Sequence, residues 1–338
     1  MYRSIAANHS IFQRFGDYRK AWSLTFGKHQ YRPQSAITPS PYHNSASAEI
    51  PGHPFSVQMD TQPPAQLPEI MPSSPPNIPL AERMKKYEAV YDTTLPSNSP
   101  IILRLDGHNF SRFTSHFARP FDERIHSAML STCTSLLTFF PSATLAYTQS
   151  DEITLIFPSG VGAFGERVQK LSSLAASYTS VNFVKHLIAA VDAQPEPALK
   201  GEGGKDVLWT AHFDARIFAV PSIEEALNNL LWRCRNDAVR NSVSSFARTM
   251  YSTKEMHGKR AKELVAMMRE EKGVVFEDAV PKWAIEGCLI KREQVDHWGR
   301  NGKTGEMEMT FRARVRVEER GVREFGEEGL RLVQERYW

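Results

Sequence analysis

Two stretches decide the fold of this chain: Ile101-Ile102-Leu103-Arg104-Leu105-Asp106-Gly107, and Leu145-Ala146-Tyr147-Thr148-Gln149-Ser150-Asp151-Glu152-Ile153-Thr154-Leu155-Ile156-Phe157. The first reads as a strand, nearly apolar throughout and so central in its sheet, that stops at Asp106-Gly107. The second reads as two short strands, Leu145–Tyr147 and Ile153–Phe157, folded back on each other at a tight turn over Thr148–Glu152. Between the two stretches, Pro120–Phe140 carries Ile125, Met129, Leu136 and Leu137 at helical spacing. Arg167–His186 reads as a second helix, and Trp209–Val220 as a closing strand. The order β-α-β-β-α-β is the ferredoxin-like pattern of an α+β fold.

That order has a chemical consequence. It sets the first strand beside the hairpin of the next two, so the end of the first strand and the turn of the hairpin share one edge. Asp106 then comes within reach of Asp151, with Glu152 beside it. Two carboxylates converging from buried strands repel unless a cation lies between them. A pair of Mg²⁺ ions roughly 3.5–4 Å apart is the recurring device for in-line phosphoryl transfer, and polymerase palms and nucleotide cyclases use this sheet. The bland alternative makes both aspartates ordinary turn residues, since Asp-Gly favours turns. Gly107-His108-Asn109-Phe110 adds a small-residue loop whose backbone amides suit phosphates.

Two other glycine-rich stretches are set aside. Gly160-Val161-Gly162-Ala163-Phe164-Gly165 fits a dinucleotide fingerprint, but no acidic residue follows near Asn182–Lys185. Gly201-Glu202-Gly203-Gly204-Lys205-Asp206 lacks the spacing and the hydroxyl residue of a phosphate-binding loop.

Upstream of Leu80 the texture differs. Residues 1–32 hold Arg3, Arg14, Arg19, Lys20, Lys28 and Arg32 against the single acid Asp17, interspersed with apolar side chains. A basic, acid-poor, amphipathic start is the signature of a mitochondrial presequence; an unused basic tail would leave a cytoplasmic or nuclear protein. Residues 33–79 hold twelve of the chain's 21 prolines, so 1–79 reads as a disordered extension. Ala81–Tyr91 reads as a helix opening the folded part.

Downstream, Ser222–Tyr251 reads as one long helix and Gly258–Lys272 as another. Cys288–Val295 and Glu308–Glu318 read as strands around a turn at Gly299–Gly305. The expected division is a palm-like catalytic domain over 80–214 and a second unit over 215–338. Trp232–Lys262 carries Arg233, Arg235, Arg240, Arg248, Lys254, Lys259, Arg260 and Lys262 against Asp237 and Glu255. Such a helical face neutralises phosphates, or else is simply solvated. Within it, Arg240-Asn241-Ser242 places two poor helix formers in mid-helix.

Composition bounds the reading. The 338 residues suit two folded units plus a tail, and 41% hydrophobic residues exclude a wholly disordered chain. No window approaches the roughly 18 apolar residues of a membrane span. Cys133, Cys234 and Cys288 are far apart and odd in number, so neither a zinc site nor a disulfide framework is expected. The histidines show no metal-ligand spacing.

Taken together, these motifs resemble the tRNA-His guanylyltransferase family. Ile101 through Thr114 resembles its first motif, and Arg119-Pro120-Phe121-Asp122-Glu123-Arg124 its next. Leu145 through Glu152 resembles the second carboxylate motif. Phe213-Asp214-Ala215-Arg216 and Trp232 through Val243 follow in family order. The resemblance covers about Leu80 to Lys291.

It implies a polymerase-like palm working in the 3′-to-5′ direction. A tRNA 5′ end is activated with nucleoside triphosphate and attacked by the 3′-hydroxyl of GTP, with ATP and GTP as substrates. It also implies that Asp106 and Asp151 hold two Mg²⁺ ions with help from the Gly107 carbonyl, with Glu152 in the catalytic set. Asp106 to Ser111 (with Gly107, His108, Asn109 and Phe110 between), Ser150 and Asp151 would line the nucleotide site. Arg119 stands where lysine is usual, and Lys170 is a further triphosphate contact. Arg216, Arg240, Asn241 and Ser242 would face tRNA. Members are commonly homotetramers, and no membrane is involved.

The chain departs from the family at two places. His108 replaces a basic residue, and Val239-Arg240-Asn241-Ser242 replaces the His-Ile-Asn-Asn of members devoted to tRNA-His. Templated 5′-end repair of several tRNAs is therefore the alternative activity. A non-catalytic RNA-binding relative is the alternative of another class, and the retained aspartates argue against it.

Overall fold

Strand β1 (Ile101–Gly107) buries both of its faces: Ile101, Ile102, Leu103 and Leu105 are each 1% exposed or less. It is flanked on both sides, which explains why its apolar run is almost uninterrupted. Fully burying one such side chain contributes about 1.5–3 kcal/mol. The structure is a computed structural model describing residues 78–338 except Glu202, all within one unit bounded at Ser73–Trp338. The expected extension over 1–79, with its presequence reading, lies outside the described residues apart from Ile78 and Pro79.

Helix α1 (Leu80–Ala89) buries none of its residues. The sheet follows as β1, β2 (Leu145–Gln149), β3 (Glu152–Phe157) and β4 (Phe213–Ala219), in the order β4-β1-β3-β2 with every pairing antiparallel. This is the palm-like β-α-β-β-α-β arrangement. Helix α2 (Glu123–Phe139) starts at Asp122, whose side chain accepts from the Arg124 amide. With α3 (Val168–Ala193) it covers the face carrying Leu103, Leu105, Ile153 and Leu155.

The opposite face carries Ile102, Leu145, Tyr147 and Ile156 and is closed by helix α4 (Ile223–Trp232). The long helix expected over Ser222–Tyr251 is interrupted. After α4 comes a π-turn, Arg233–Asp237, and then α5 (Ala238–Ala247). A π-turn adds a residue to one helical turn and shifts the helical phase of every later residue. Here it lets Arg233 and Asp237 both turn inward, 8% exposed each. Helix α6 (Ala261–Lys272) packs on α5 through Val243, Ala247, Leu264 and Met268.

Strands β5 (Cys288–Arg300) and β6 (Met307–Glu318) form a long hairpin, and β5 pairs with β2. The segment after Asp214 thus extends the same sheet to six strands. Lys291 and Arg292 on β5 are buried; Lys291 ties down the end of the chain and Arg292 the segment between α2 and β2. Lys291 Nζ donates to the Leu332 carbonyl of helix α7 (Glu327–Gln334) at 2.6 Å, and Arg292 to the Ala143 carbonyl at 2.7 Å. Burial lowers the Lys291 ammonium to about 8. The three cysteines are free and buried, and no described helix is long and apolar enough to cross a membrane.

Candidate active site

The strand register brings the acidic residues together. Asp106 stands opposite Glu152 of β3 on one side and opposite Asp214 of β4 on the other. Residues directly opposite in an antiparallel pair share a face, about 4.5–5.5 Å apart at Cβ. Asp151 forms the turn with Ser150, which takes a left-handed φ of 56° and donates its hydroxyl to Asp151 Oδ1 at 2.9 Å. The Gly107 amide donates to the Asp151 carbonyl at 3.1 Å, fastening the end of β1 to the turn. Asp106, Ser150, Asp151 and Glu152 then line one recess of about 70 Å³ together with Asp237 and Asn241.

Burial raises the Asp151 carboxyl above the usual carboxylate range, and the Asp106 charge adds to that, so the two aspartates sense each other. Burial also pushes Glu152 up to about 7. Arg104 opposes this shift, and Asp106, Asp237 and Asp151 reinforce it. Arg233 bridges Glu152 Oε2 at 3.1 Å and Asp237 Oδ2 at 2.6 Å, so its charge goes chiefly to Asp237. Glu152 Oε1 is buried without a hydrogen-bond partner.

The recess opens into a cleft of about 550 Å³, which shares Gln149, Ser150, Asp151 and Asn241 with it. Arg119 and Arg248 supply the cleft's cations, one from the loop before α2 and one from the end of α5. Ser111 also lines it. Trp283 forms part of the wall, stacked on His126 at 4.0 Å and 10° between planes. Burial lowers His126 to about 4, so that ring is neutral near pH 7.

Of the residues expected from sequence, the structure gathers Asp106, Phe110, Ser111, Arg119, Ser150, Asp151, Glu152 and Asn241 around the recess and cleft. Gly107 has a packing reason: a Cβ there would lie 2.2 Å from the Phe110 ring. That ring is 4% exposed and buried among Phe113, Phe183 and Phe213. His108 packs on His212 with ring centroids 4.9 Å apart, and Asn109 takes a left-handed turn before the short helix Phe110–Phe113. Lys170 and Arg216 line neither the cleft nor the recess, and Arg216 pairs with Asp214 at 3.8 Å. Ser242 is 1% exposed with its hydroxyl inward, so it offers an RNA no surface. Arg240 is 65% exposed at its side chain and donates to Asp237 Oδ1 at 2.8 Å.

Sequence reading passed over Asp237, Arg233, His126, Trp283 and Gln149 as site residues. The spacing of Arg233 and Asp237 by four was visible, but the π-turn that directs both inward was not.

Among the described residues no three His, Cys, Asp or Glu side chains form a ready metal cage. The donor set nonetheless fits a hard divalent cation. Mg²⁺ is typically held by one or two carboxylates, completed by water and substrate phosphates. Asp106 and Asp151 face one recess, and Glu152 Oε1 beside them is buried without a hydrogen-bond partner.

A family model described as tRNA-His guanylyltransferase matches residues 81–221. An uncharacterized protein of Acanthamoeba polyphaga mimivirus is 32% identical over 238 residues, 65% of this chain and 79% of its own length. A bacterial tRNA-His guanylyltransferase-like protein, solved in complex with ATP, superimposes with a TM-score of 0.54 at 29% identity. That match covers 63% of this chain and 88% of the bacterial one. Residues 81–221 belong to the tRNA-His guanylyltransferase family. The tRNA-His guanylyltransferase of Neurospora crassa is 30% identical over 156 residues, 45% of this chain and 49% of that enzyme, so the match spans about half of it. The Saccharomyces cerevisiae enzyme shares the fold, with a TM-score of 0.50 at 23% identity over 60% of this chain and 90% of its own. The tRNA-His guanylyltransferase family is a family of nucleotidyltransferases. Its matched segment spans β1 to β4 and includes both aspartates of the recess.

Proposed function

We propose that this chain is a Mg²⁺-dependent tRNA guanylyltransferase that adds GMP to a tRNA 5′ end in the 3′-to-5′ direction, with ATP and GTP as nucleotide substrates. The observation that carries the reading is the convergence of Asp106 and Asp151 on one recess that opens into a cleft flanked by Arg119 and Arg248. Asp106 and Asp151 would hold two Mg²⁺ ions. Bound there, the ions would supply Lewis-acid stabilisation of charge developing on phosphate oxygens.

The chain's own residues do the rest. Arg119 and Arg248 grip the triphosphate from the cleft wall, and guanidinium suits this because it donates in pairs to phosphate oxygens. The Ser111 and Ser150 hydroxyls add donors. Arg233 and Arg240 hold Asp237, and Arg233 also holds one oxygen of Glu152, which leaves Asp106 and Asp151 to the cations.

Arg240 and Asn241 stand where dedicated members carry the identity-reading element. Arginine grips phosphate or stacks on a base without requiring one base. This supports addition to tRNAs other than tRNA-His, with identity taken from pairing to the opposite acceptor strand. The presequence reading of 1–32 and assembly as a homotetramer belong to the same proposal.

The test is incorporation of labelled GTP into tRNA-His and a panel of 5′-truncated tRNAs, with the wild type, Asp106→Asn and Asp151→Asn. Addition by the wild type and none by either variant is expected. Near wild-type turnover in either variant at saturating Mg²⁺ removes the site assignment. Activity confined to tRNA-His removes the templated reading.

A further inference from the structure

A chain of charged contacts runs from the carboxylate edge to the exposed face of α5. Glu152, opposite Asp106 in the sheet, accepts from Arg233 at 3.1 Å. The same Arg233 nitrogen donates to Asp237 Oδ2 at 2.6 Å. The other oxygen of Asp237 accepts from Arg240 at 2.8 Å. Burial along the chain is graded: Arg233 and Asp237 are 9% and 11% exposed at their side chains, whereas Arg240 is 65% exposed. The Arg233 guanidinium lies 4.3 Å from the ring of its neighbour Trp232, which limits where it can go. The π-turn over Arg233–Asp237 puts both inner members on one side of the helix. Such turns concentrate at functional sites, since an extra residue in a helix is otherwise costly to keep.

Asp237 is thus shared between an outer cation free to leave and an inner cation that is not. If Arg240 turns to a phosphate of a bound RNA, Asp237 keeps both oxygens for Arg233. Arg233 then shifts from Glu152 toward Asp237, and the Glu152 carboxylate beside Asp106 is released to the recess. We propose that Asp237 and Arg233 are positioning residues that couple tRNA engagement at Arg240 to the arrangement of the carboxylate edge. This rests on the guanylyltransferase reading for its ligands, a tRNA and a nucleoside triphosphate. It adds a linkage that the reading does not require.

The experiment measures that linkage by binding and by turnover, in the full chain. Anisotropy of labelled tRNA is titrated with and without ATP for the wild type, Asp237→Asn, Arg233→Met and Arg233→Lys. Nucleotide incorporation then gives kcat and KM. ATP should change the wild-type tRNA Kd about fivefold or more, a coupling of ordinary size. In Asp237→Asn and Arg233→Met the change should fall below about twofold. In the same two variants kcat should drop at least tenfold while the ATP Kd stays within about twofold. Arg233→Lys keeps a cation between the two carboxylates and should recover most of the loss. Adding Arg240→Ala to Asp237→Asn should raise the KM for tRNA but cost no further kcat.

Wild-type linkage surviving in Asp237→Asn, or no linkage in the wild type, overturns the proposal. So does equal loss of kcat, ATP binding and thermal stability in Arg233→Met, which would make the contacts merely structural. A wild type that shows the linkage but adds nothing to any tRNA removes the guanylyltransferase reading and leaves the coupling standing.

Discussion

Asp122→Asn should destabilise this protein far more than a typical polar substitution, and the contacts say by how much. The Asp122 carboxylate accepts four hydrogen bonds: from Arg124 Nε at 2.9 Å and Nη2 at 2.7 Å, and from the amides of Ala118 at 2.9 Å and Arg124 at 3.0 Å. The pair is buried, with side chains 1% and 3% exposed. Arg124 has nowhere else to put its charge; its remaining nitrogen donates to the Pro197 carbonyl at 2.8 Å. Neutralising one partner of such a pair leaves a buried uncompensated charge and costs about 3–5 kcal/mol. A domain has only about 5–15 kcal/mol in total, so Tm should fall by roughly 6–20 °C at about 2–4 °C per kcal/mol.

Urea unfolding at pH 7 followed by far-UV circular dichroism measures the loss. Replacing both partners, Asp122→Asn with Arg124→Met, should recover at least half of it, because no charge is then left buried and the Asn side-chain oxygen still accepts from an amide at the start of α2. The pH dependence has a definite sign. Burial alone would raise the Asp122 carboxyl, but the Arg124 guanidinium and the two amides outweigh it and hold it below its ordinary value of 3.8. Its contribution is therefore complete above about pH 4 and is lost as pH falls through the folded value. The gap between wild type and Asp122→Asn should close in that acid window. A variant within about 1 kcal/mol of wild type at pH 7, or a double variant as unstable as the sum of the singles, would refute the reasoning.

Three further outcomes are expected from other parts of the molecule. A chain beginning at Ser73, the start of the described unit, should retain wild-type nucleotide addition in vitro; an insoluble or inactive product would show that the proline-rich extension does more than link. Arg240→Ala should weaken binding of every tRNA about equally and reduce the salt slope by about one; a loss confined to one tRNA would mean that Arg240 reads a base. Glu152, raised from 4.5 to about 7 mainly by burial, is costly to ionise in the fold, so its cost is full above pH 7 and relieved as the folded state takes up a proton. Without divalent cations, Tm should rise as pH falls from about 7 to about 4.5, and Glu152→Gln should flatten that rise; an unchanged profile in the variant would assign the dependence elsewhere.

The sequence by itself determined the palm. Short, nearly continuous apolar runs mark β1, β2 and β3, which are buried on both faces, and apolar residues at helical spacing mark α2 and α3, while the pairing follows from the β-α-β-β-α-β connectivity. It also placed Asp106 near Asp151, since strand ends and a hairpin turn are set by topology alone. Boundaries drifted where composition was ambiguous: the strand read from Trp209 begins at Phe213, after a 3₁₀ segment over Gly204–Thr210.

Only the tertiary structure decided the rest. Arg233 and Asp237 share a helix face by their spacing of four, but whether that face looks to solvent or to the carboxylates is set by how the helix packs, and the π-turn that spans them leaves no mark in the periodicity. Arg119 and Arg248 are far apart in sequence and meet only because Asn241, Ser245 and Arg248, on α5 and at its end, line the same cleft as Ser150 and Asp151. Nothing in the strand reading of Cys288–Val295 sets Lys291 and Arg292 apart. They are buried because carbonyls near the ends of helices α2 and α7 need donors, and that need exists only once the helices are packed against β5.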